Sequence, residues 1–120
     1  MASKEEKPKM KALSNGTKSW FVDGKRHRID GPAFEWPDGH KEWWVDGKLH
    51  RIDGPAIEHT NGSKEWWLND KRHRVDGPAT ERSDGRKEYY LFGEEYKDIE
   101  VFRVASDMLA KLFPEMIDKR

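Results

Sequence analysis

The chain has 120 residues and no cysteine, and its 23 basic groups balance 23 acidic ones. That length fits one domain. The lack of thiols excludes disulfides, thiolate metal sites and cysteine nucleophiles, and zero net charge argues against a general nucleic-acid or membrane-surface binder. Charged residues make up 38% of the chain and hydrophobic ones 34%, with a mean hydropathy of −1.09. Such a polar chain folds only if each apolar residue covers much area. The six Trp do so, since each can bury roughly 150–250 Å². A thin, aromatic core spread along the molecule is expected.

Residues 1–12 are small, charged and without period, and are read as a disordered lead. They lack the apolar segment of a signal peptide. No apolar run in the chain approaches the roughly 18 residues of a membrane span. A cytoplasmic protein is therefore expected.

From residue 13 to residue 96 a 23-residue unit recurs about three and a half times. Trp20, Trp43, Trp66 and Tyr89 are evenly spaced, as are His27, His50, His73 and Tyr96. Asp30-Gly31-Pro32-Ala33 returns at Asp53 and at Asp76. A fixed period of this size marks a stacked-repeat architecture, in which each unit buries its apolar face against its neighbours. Residues present in every copy are then scaffold before they are catalytic groups. No unit forms a basic stripe by count: residues 16–38 carry four basic and four acidic groups, 39–61 three and four, 62–84 five and five.

Within a unit the period-2 signal is strong. In Lys41-Glu42-Trp43-Trp44-Val45, Trp43 and Val45 share one face, and Glu42 and Trp44 the other. Asp46-Gly47 signals a tight turn, and Lys48–Arg51 returns antiparallel. Pro55 breaks the ladder because it has no N–H to donate. Ala56–His59 forms a further short strand, and Thr60-Asn61-Gly62 turns into the next unit. The third copy has Asn69-Asp70 at the first turn and must make its shape without Gly. The fold class is mainly β: an elongated, single-layer antiparallel β-repeat meander capped by a C-terminal α-helix. One face carries Trp20, Trp43, Trp66 and Tyr89 with Val22, Val45, Leu68 and Leu91; the other carries Phe21, Trp44, Trp67 and Tyr90. Phe34, Ile57, Thr80 and Trp36, His59, Arg82 grow more polar along the array, which marks variable surface beside fixed scaffold.

Residues 97–120 read as helical. Phe102, Ala105, Leu109, Leu112 and Met116 form an amphipathic stripe. Asp98 suits an N-cap and Glu100 the first turn, while Pro114 should end or kink the helix near Phe113 and could open a last turn. The helix is expected to cover the last repeat, with dimerisation as the alternative, so the chain is a monomer or a homodimer through this helix.

The run Trp43-Trp44-Val45-Asp46-Gly47-Lys48-Leu49-His50 resembles the MORN repeat, in which an aromatic strand leads into an Asn/Asp-Gly turn, a basic residue and a His-Gly pair. Residues 16–96 share the likeness. It departs after the His, where Arg28, Arg51 and Arg74 replace Gly. The His-Arg-x-Asp-Gly-Pro-Ala string is similar to a MORN-like variant of phage, giant-virus and some bacterial proteins. The resemblance implies an elongated twisted sheet that acts as a scaffold or protein-binding module, with lipid binding also proposed for such arrays.

Repeat spacing weighs against a shared metal at His27, His50 and His73. Equivalent positions lie about 10 Å apart across two strand pairs, whereas ligands sit about 2.0–2.2 Å from one ion. No metal or cofactor is expected. Arg28, Arg51 and Arg74 could form a binding stripe, or could bridge to acidic groups while Asp30, Asp53 and Asp76 cap the turns. Glu35, Glu58 and Glu81 are expected opposite lysines in cross-strand pairs. The doubled aromatics point to function, because aromatic hot spots dominate interfaces. Phe21, Trp44, Trp67 and Tyr90, with the three arginines, are the candidate partner-binding residues, unless Lys and Arg stems cover that face. There is no phosphate loop, serine-nucleophile motif or unique carboxylate pair, so the expected function is non-enzymatic protein binding or scaffolding through the aromatic face. The resemblance implies a phage or viral protein that binds and modulates a host protein in the host cytoplasm. The alternatives are single-stranded nucleic acid stacked on the Trp stripe, or a lipid or small ligand.

Overall fold

A computed structural model describes residues 7–114. The chain opens with β1 (Lys9–Ala12) and β2 (Lys18–Val22), and the first hairpin returns as β3 (Lys25–Arg26). β4 (Phe34–Glu35) and β5 (Lys41–Glu42) lead to the second hairpin, β6 (Trp44–Val45) and β7 (Lys48–Leu49). β8 (Ile57–Glu58) and β9 (Lys64–Glu65) lead to the third, β10 (Trp67–Leu68) and β11 (Lys71–Arg72). β12 (Thr80–Glu81), β13 (Lys87–Leu91) and β14 (Glu94–Tyr96) complete the array, and α1 (Ile99–Leu112) follows.

All pairing is antiparallel. A ten-stranded sheet runs in the order β1-β2-β4-β5-β8-β9-β12-β13-β14, with β3 attached to β2. Two hairpins, β6-β7 and β10-β11, form ladders of their own. These hairpins are not isolated: the return arm of one unit bonds the outgoing arm of the next. Arg51 N–H donates to the Trp67 carbonyl at 3.2 Å and Asp70 N–H to the Leu49 carbonyl at 2.9 Å. The first Trp of each pair is the pivot between the meander and the hairpin row. Trp43 N–H donates to the Ala56 carbonyl at 2.8 Å, and its carbonyl accepts from His50 N–H at 3.1 Å. The result is one extended layer with principal extents of 47, 44 and 23 Å.

The hairpin turns place two residues in the left-handed region: φ is 52° at Asp46 and 77° at Gly47. Both central residues of a type I′ turn need positive φ. Asn69 and Asp70 meet that demand at 49° and 68° without any glycine. Short polar side chains tolerate this region. The fourth turn puts Phe92 there at φ 50°.

The lead needs one correction. Lys9–Ala12 is not disordered but pairs with β2, with Met10 opposite Trp20 and Lys11 opposite Ser19. A four-residue Lys-Met-Lys-Ala alternation is too short to read as a strand alone; the long-range partner decides it.

α1 follows the reading closely at its start. The Asp98 carboxylate accepts from Glu100 N–H at 2.9 Å and Val101 N–H at 3.4 Å. It ends at Leu112 before Pro114. Phe102 joins Val75 and Leu91 in the main apolar cluster, with Tyr89, Tyr96, Ile99, Ala105 and Leu109 packed around them. Leu112 departs from the expected stripe, being 67% exposed. At about 100° per residue it lies some 80° round from Phe102, toward Val101 and Met108. Met116 lies outside the described residues.

Candidate functional site

The two sheet faces are built differently. On the spine face, each first Trp of a pair carries an arginine eight residues later in sequence. The guanidinium carbons of Arg28, Arg51 and Arg74 lie 3.9, 3.8 and 3.8 Å from the ring centroids of Trp20, Trp43 and Trp66. In the middle copy, Arg51 Nε donates to Asp53 Oδ1 at 3.1 Å and Nη1 to the Pro55 carbonyl at 3.0 Å, with Glu58 Oε2 at 3.5 Å. The first and third copies repeat the bonds to aspartate and to the proline carbonyl. A Cβ on Gly54 would fall 2.9 Å from Arg51 Cζ. The glycine of Asp-Gly-Pro-Ala therefore makes room for the guanidinium. Ala33, Ala56 and Ala79 beside it are fully buried.

The three arginines are thus internal clamps and not a free binding stripe. Their stacking on indole contributes roughly 0.5–2 kcal/mol per copy. Glu35, Glu58 and Glu81 do lie opposite lysines in register, as in Glu35 beside Lys18 and Lys41. Their ion pairs, however, go to Arg28, Arg51 and Arg74 at 3.8, 3.5 and 3.2 Å. The planar fork reaches both the carboxylate and the loop.

The histidines tie consecutive units together. His27, His50 and His73 Nδ1 accept from the backbone N–H of Asp46, Asn69 and Phe92 at 2.9, 3.1 and 2.9 Å. Each ring thus anchors the next turn. Burial pushes the His50 and His73 imidazoles below their ordinary range. Among the described residues no group of three or more His, Cys, Asp or Glu could hold a metal ion.

The fourth unit lacks the clamp arginine, and Lys97 stands at its position. There Phe102 of α1 covers Tyr89, with ring centroids 4.9 Å apart. The helix substitutes an aromatic ring for a guanidinium and so ends the spine.

On the stripe face, Phe21, Trp44, Trp67 and Tyr90 recur in line and all are half-buried. Trp44 and Trp67 each donate Nε1–H to a glutamate, Glu42 at 2.8 Å and Glu65 at 2.9 Å. Arg26 lies 5.4 Å from the Trp44 ring, and Arg72 5.2 Å from Trp67 and 5.4 Å from Tyr90. Arginine stems therefore cover part of this stripe. His40 and His59 lie side by side, ring centroids 5.3 Å apart, and bond Glu42 and Glu65 at 2.8 and 2.6 Å. Burial raises the Glu65 carboxyl, but the bonds from His59 and Trp67 outweigh it and leave the group below its ordinary range.

The stripe face is sealed at one end and open at the other. At the C-terminal end, Arg82 bonds both oxygens of Glu88 at 3.1 and 3.2 Å, and Thr80 is buried. At the N-terminal end the same repeat positions are Phe34 and Trp36, and Trp36 is 46% exposed. With Phe21, Arg26 and Lys11 these rings line an open cleft of about 620 Å³. Arg26 lies 4.4 Å from the Phe34 ring. The drift at positions 34 and 36 was the sequence signal for this cleft. The parts played by Arg26 and Lys11, in a hairpin return and in the lead, carried no such signal.

No family model, curated protein or solved structure matches the chain. The MORN-like reading rests on the residues themselves. Among the described residues no helix is long and apolar enough to cross a membrane.

Proposed function

We propose that the chain is a non-enzymatic protein-binding module whose contact surface is the open end of the stripe face. The supporting observation is the cleft of Phe21, Phe34 and Trp36, which keeps aromatic surface in solvent where the later copies close it. Half-exposed aromatics beside a cation are the composition of interface hot spots. Trp44, Trp67 and Tyr90 continue the surface as its half-buried floor. The clamped arginines Arg28, Arg51 and Arg74 do not take part. The MORN-like likeness to phage and giant-virus units is the reason to seek the partner among host proteins of the cytoplasm.

Selection of a displayed random-peptide library on the whole chain tests this reading. Peptides with a bulky apolar anchor should be enriched. Trp36→Ala should weaken them at least tenfold, and Arg82→Ala at the sealed end should not. Equal binding by wild type and Trp36→Ala would overturn the proposal. So would a preference for single-stranded oligonucleotides with a steep salt dependence, the mark of phosphate contacts.

A further inference from the structure

Of three equivalent apolar loop positions, 75 alone is covered. Val75 is 6% exposed beneath α1, whereas Ile29 and Ile52, at the same place in the earlier units, are 63% and 55% exposed. The site that receives α1 is formed by Val75 and Leu91. One unit earlier the array offers Ile52 and Leu68, and two units earlier Ile29 and Val45. Ile29, Val45, Ile52 and the flank of Trp43 line an open groove of about 780 Å³ on the spine face. The chain thus shows what such a groove takes, an amphipathic helix, and leaves the earlier registers open.

α1 also carries a second apolar stripe that the array does not cover. Val101, Val104, Met108 and Leu112 are all more than half exposed, Met108 at 61%. The pitch of the two surfaces agrees. Ile29 and Ile52 are one unit apart, about 10 Å for two strands. Val101 and Met108 are seven residues apart, about 10.5 Å along a helix. The charges on the groove are balanced, since Asp30 and Asp53 pair with Arg28 and Arg51 at 3.2 and 3.1 Å, so the fit is one of apolar surface and pitch.

We propose that this groove binds α1 of a second copy of the chain, reciprocally, in a closed two-fold dimer. The groove lies one to two units before the helix on the same face. Two spine faces turned toward each other about a two-fold axis bring each helix onto the other's groove, and the contact closes without leaving either surface over. The stripe-face clefts then point outward, one on each side.

Sedimentation velocity on the full chain, from micromolar to submillimolar concentration, reads the assembly. Wild type should dimerise. Met108→Glu and Ile52→Lys should each shift the monomer–dimer midpoint upward at least tenfold. Both positions are exposed, so at concentrations below the wild-type dissociation midpoint, where every chain is monomeric, the far-UV circular dichroism and urea midpoint of each variant should match wild type. Mixing the two variants should restore a dimer, because one contact is then wild type and the other sets the introduced carboxylate against the introduced ammonium. A wild-type chain that stays monomeric throughout would overturn the proposal. So would a dimer that Met108→Glu dissolves and Ile52→Lys leaves intact, since the helices would then pair with each other. Failure of the mixture to reassociate would also overturn it.

Discussion

Replacing Arg51 by Lys keeps the charge and removes the planar fork, which isolates what the clamp contributes. The native guanidinium stacks 3.8 Å from the Trp43 centroid while it bonds Asp53 and the Pro55 carbonyl. An ammonium is a compact point charge and cannot hold all three positions. Losing the stack costs about 1–2 kcal/mol in this partly desolvated setting. Pro55 is buried, and leaving its carbonyl without a donor costs about 1–3 kcal/mol. The bond to exposed Asp53 adds only a few tenths. Arg51→Lys should therefore destabilise the chain by about 2–5 kcal/mol. A urea slope of about 2 kcal/mol/M turns that into a midpoint lower by about 1–2.5 M, read by Trp fluorescence and circular dichroism together.

The other copies supply an internal series for the same test. Arg28, Arg51 and Arg74 side chains are 24%, 22% and 13% exposed, and their Glu contacts shorten from 3.8 to 3.5 to 3.2 Å. The cost of the Lys replacement should rise in that order. Gly54→Ala should displace the same guanidinium, so the double variant should cost well below the sum of the singles. A loss under about 0.5 kcal/mol for Arg51→Lys, the size of an ordinary surface change, would refute the clamp. Strict additivity with Gly54→Ala would refute it as well.

Phe102→Ala removes a ring that is 3% exposed and should cost about 3–5 kcal/mol; loss of the helical dichroism signal before the β signal would show α1 leaving the array. Trp66 is 5% exposed and Trp67 half-buried, so Trp66→Ala should cost about 3–5 kcal/mol and Trp67→Ala distinctly less; equal urea midpoints would contradict the assignment of the two faces. Acid should weaken the fold through His50 and His73, whose folded values are depressed by burial. The unfolded chain binds those protons more readily, so stability is full above about pH 6.5 and declines as pH falls toward the folded values. Urea midpoints should be level near neutrality and drop below that point. His73→Gln should flatten part of the slope.

Much of the fold could be read from the residues, because a 23-residue period and a period of two are both written plainly. The side taken by Trp43 against Trp44 follows from alternation alone, and the Asp98 cap from its place before Ile99. The clamp was only half legible. Arg51 and Asp53 are near in sequence and suggest a pair, but the stack on Trp43 depends on a chain reversal that brings residues eight apart into contact. That basic stems could cover the stripe was legible, but not which ones. The cover depends on Arg26 and Arg72, which lie in hairpin return strands and reach across to Trp44 and Trp67. Ile29 and Ile52 sit in a loop, outside every period-2 segment, so only their recurrence with Val75 could have marked them.

The histidine bonds have a consequence for how such a chain lengthens. Each imidazole holds the turn of the unit that follows, and each return arm supplies hydrogen bonds to its successor. A duplicated cassette inserted ahead of Tyr89 would meet ready-made sockets on both sides and enter in register. The same cassette placed after Tyr89 would find Phe102 where its neighbour's arginine should be. Growth is thus permitted in the interior and forbidden at the tail, so longer versions of this chain should differ in the number of middle units and keep one terminator.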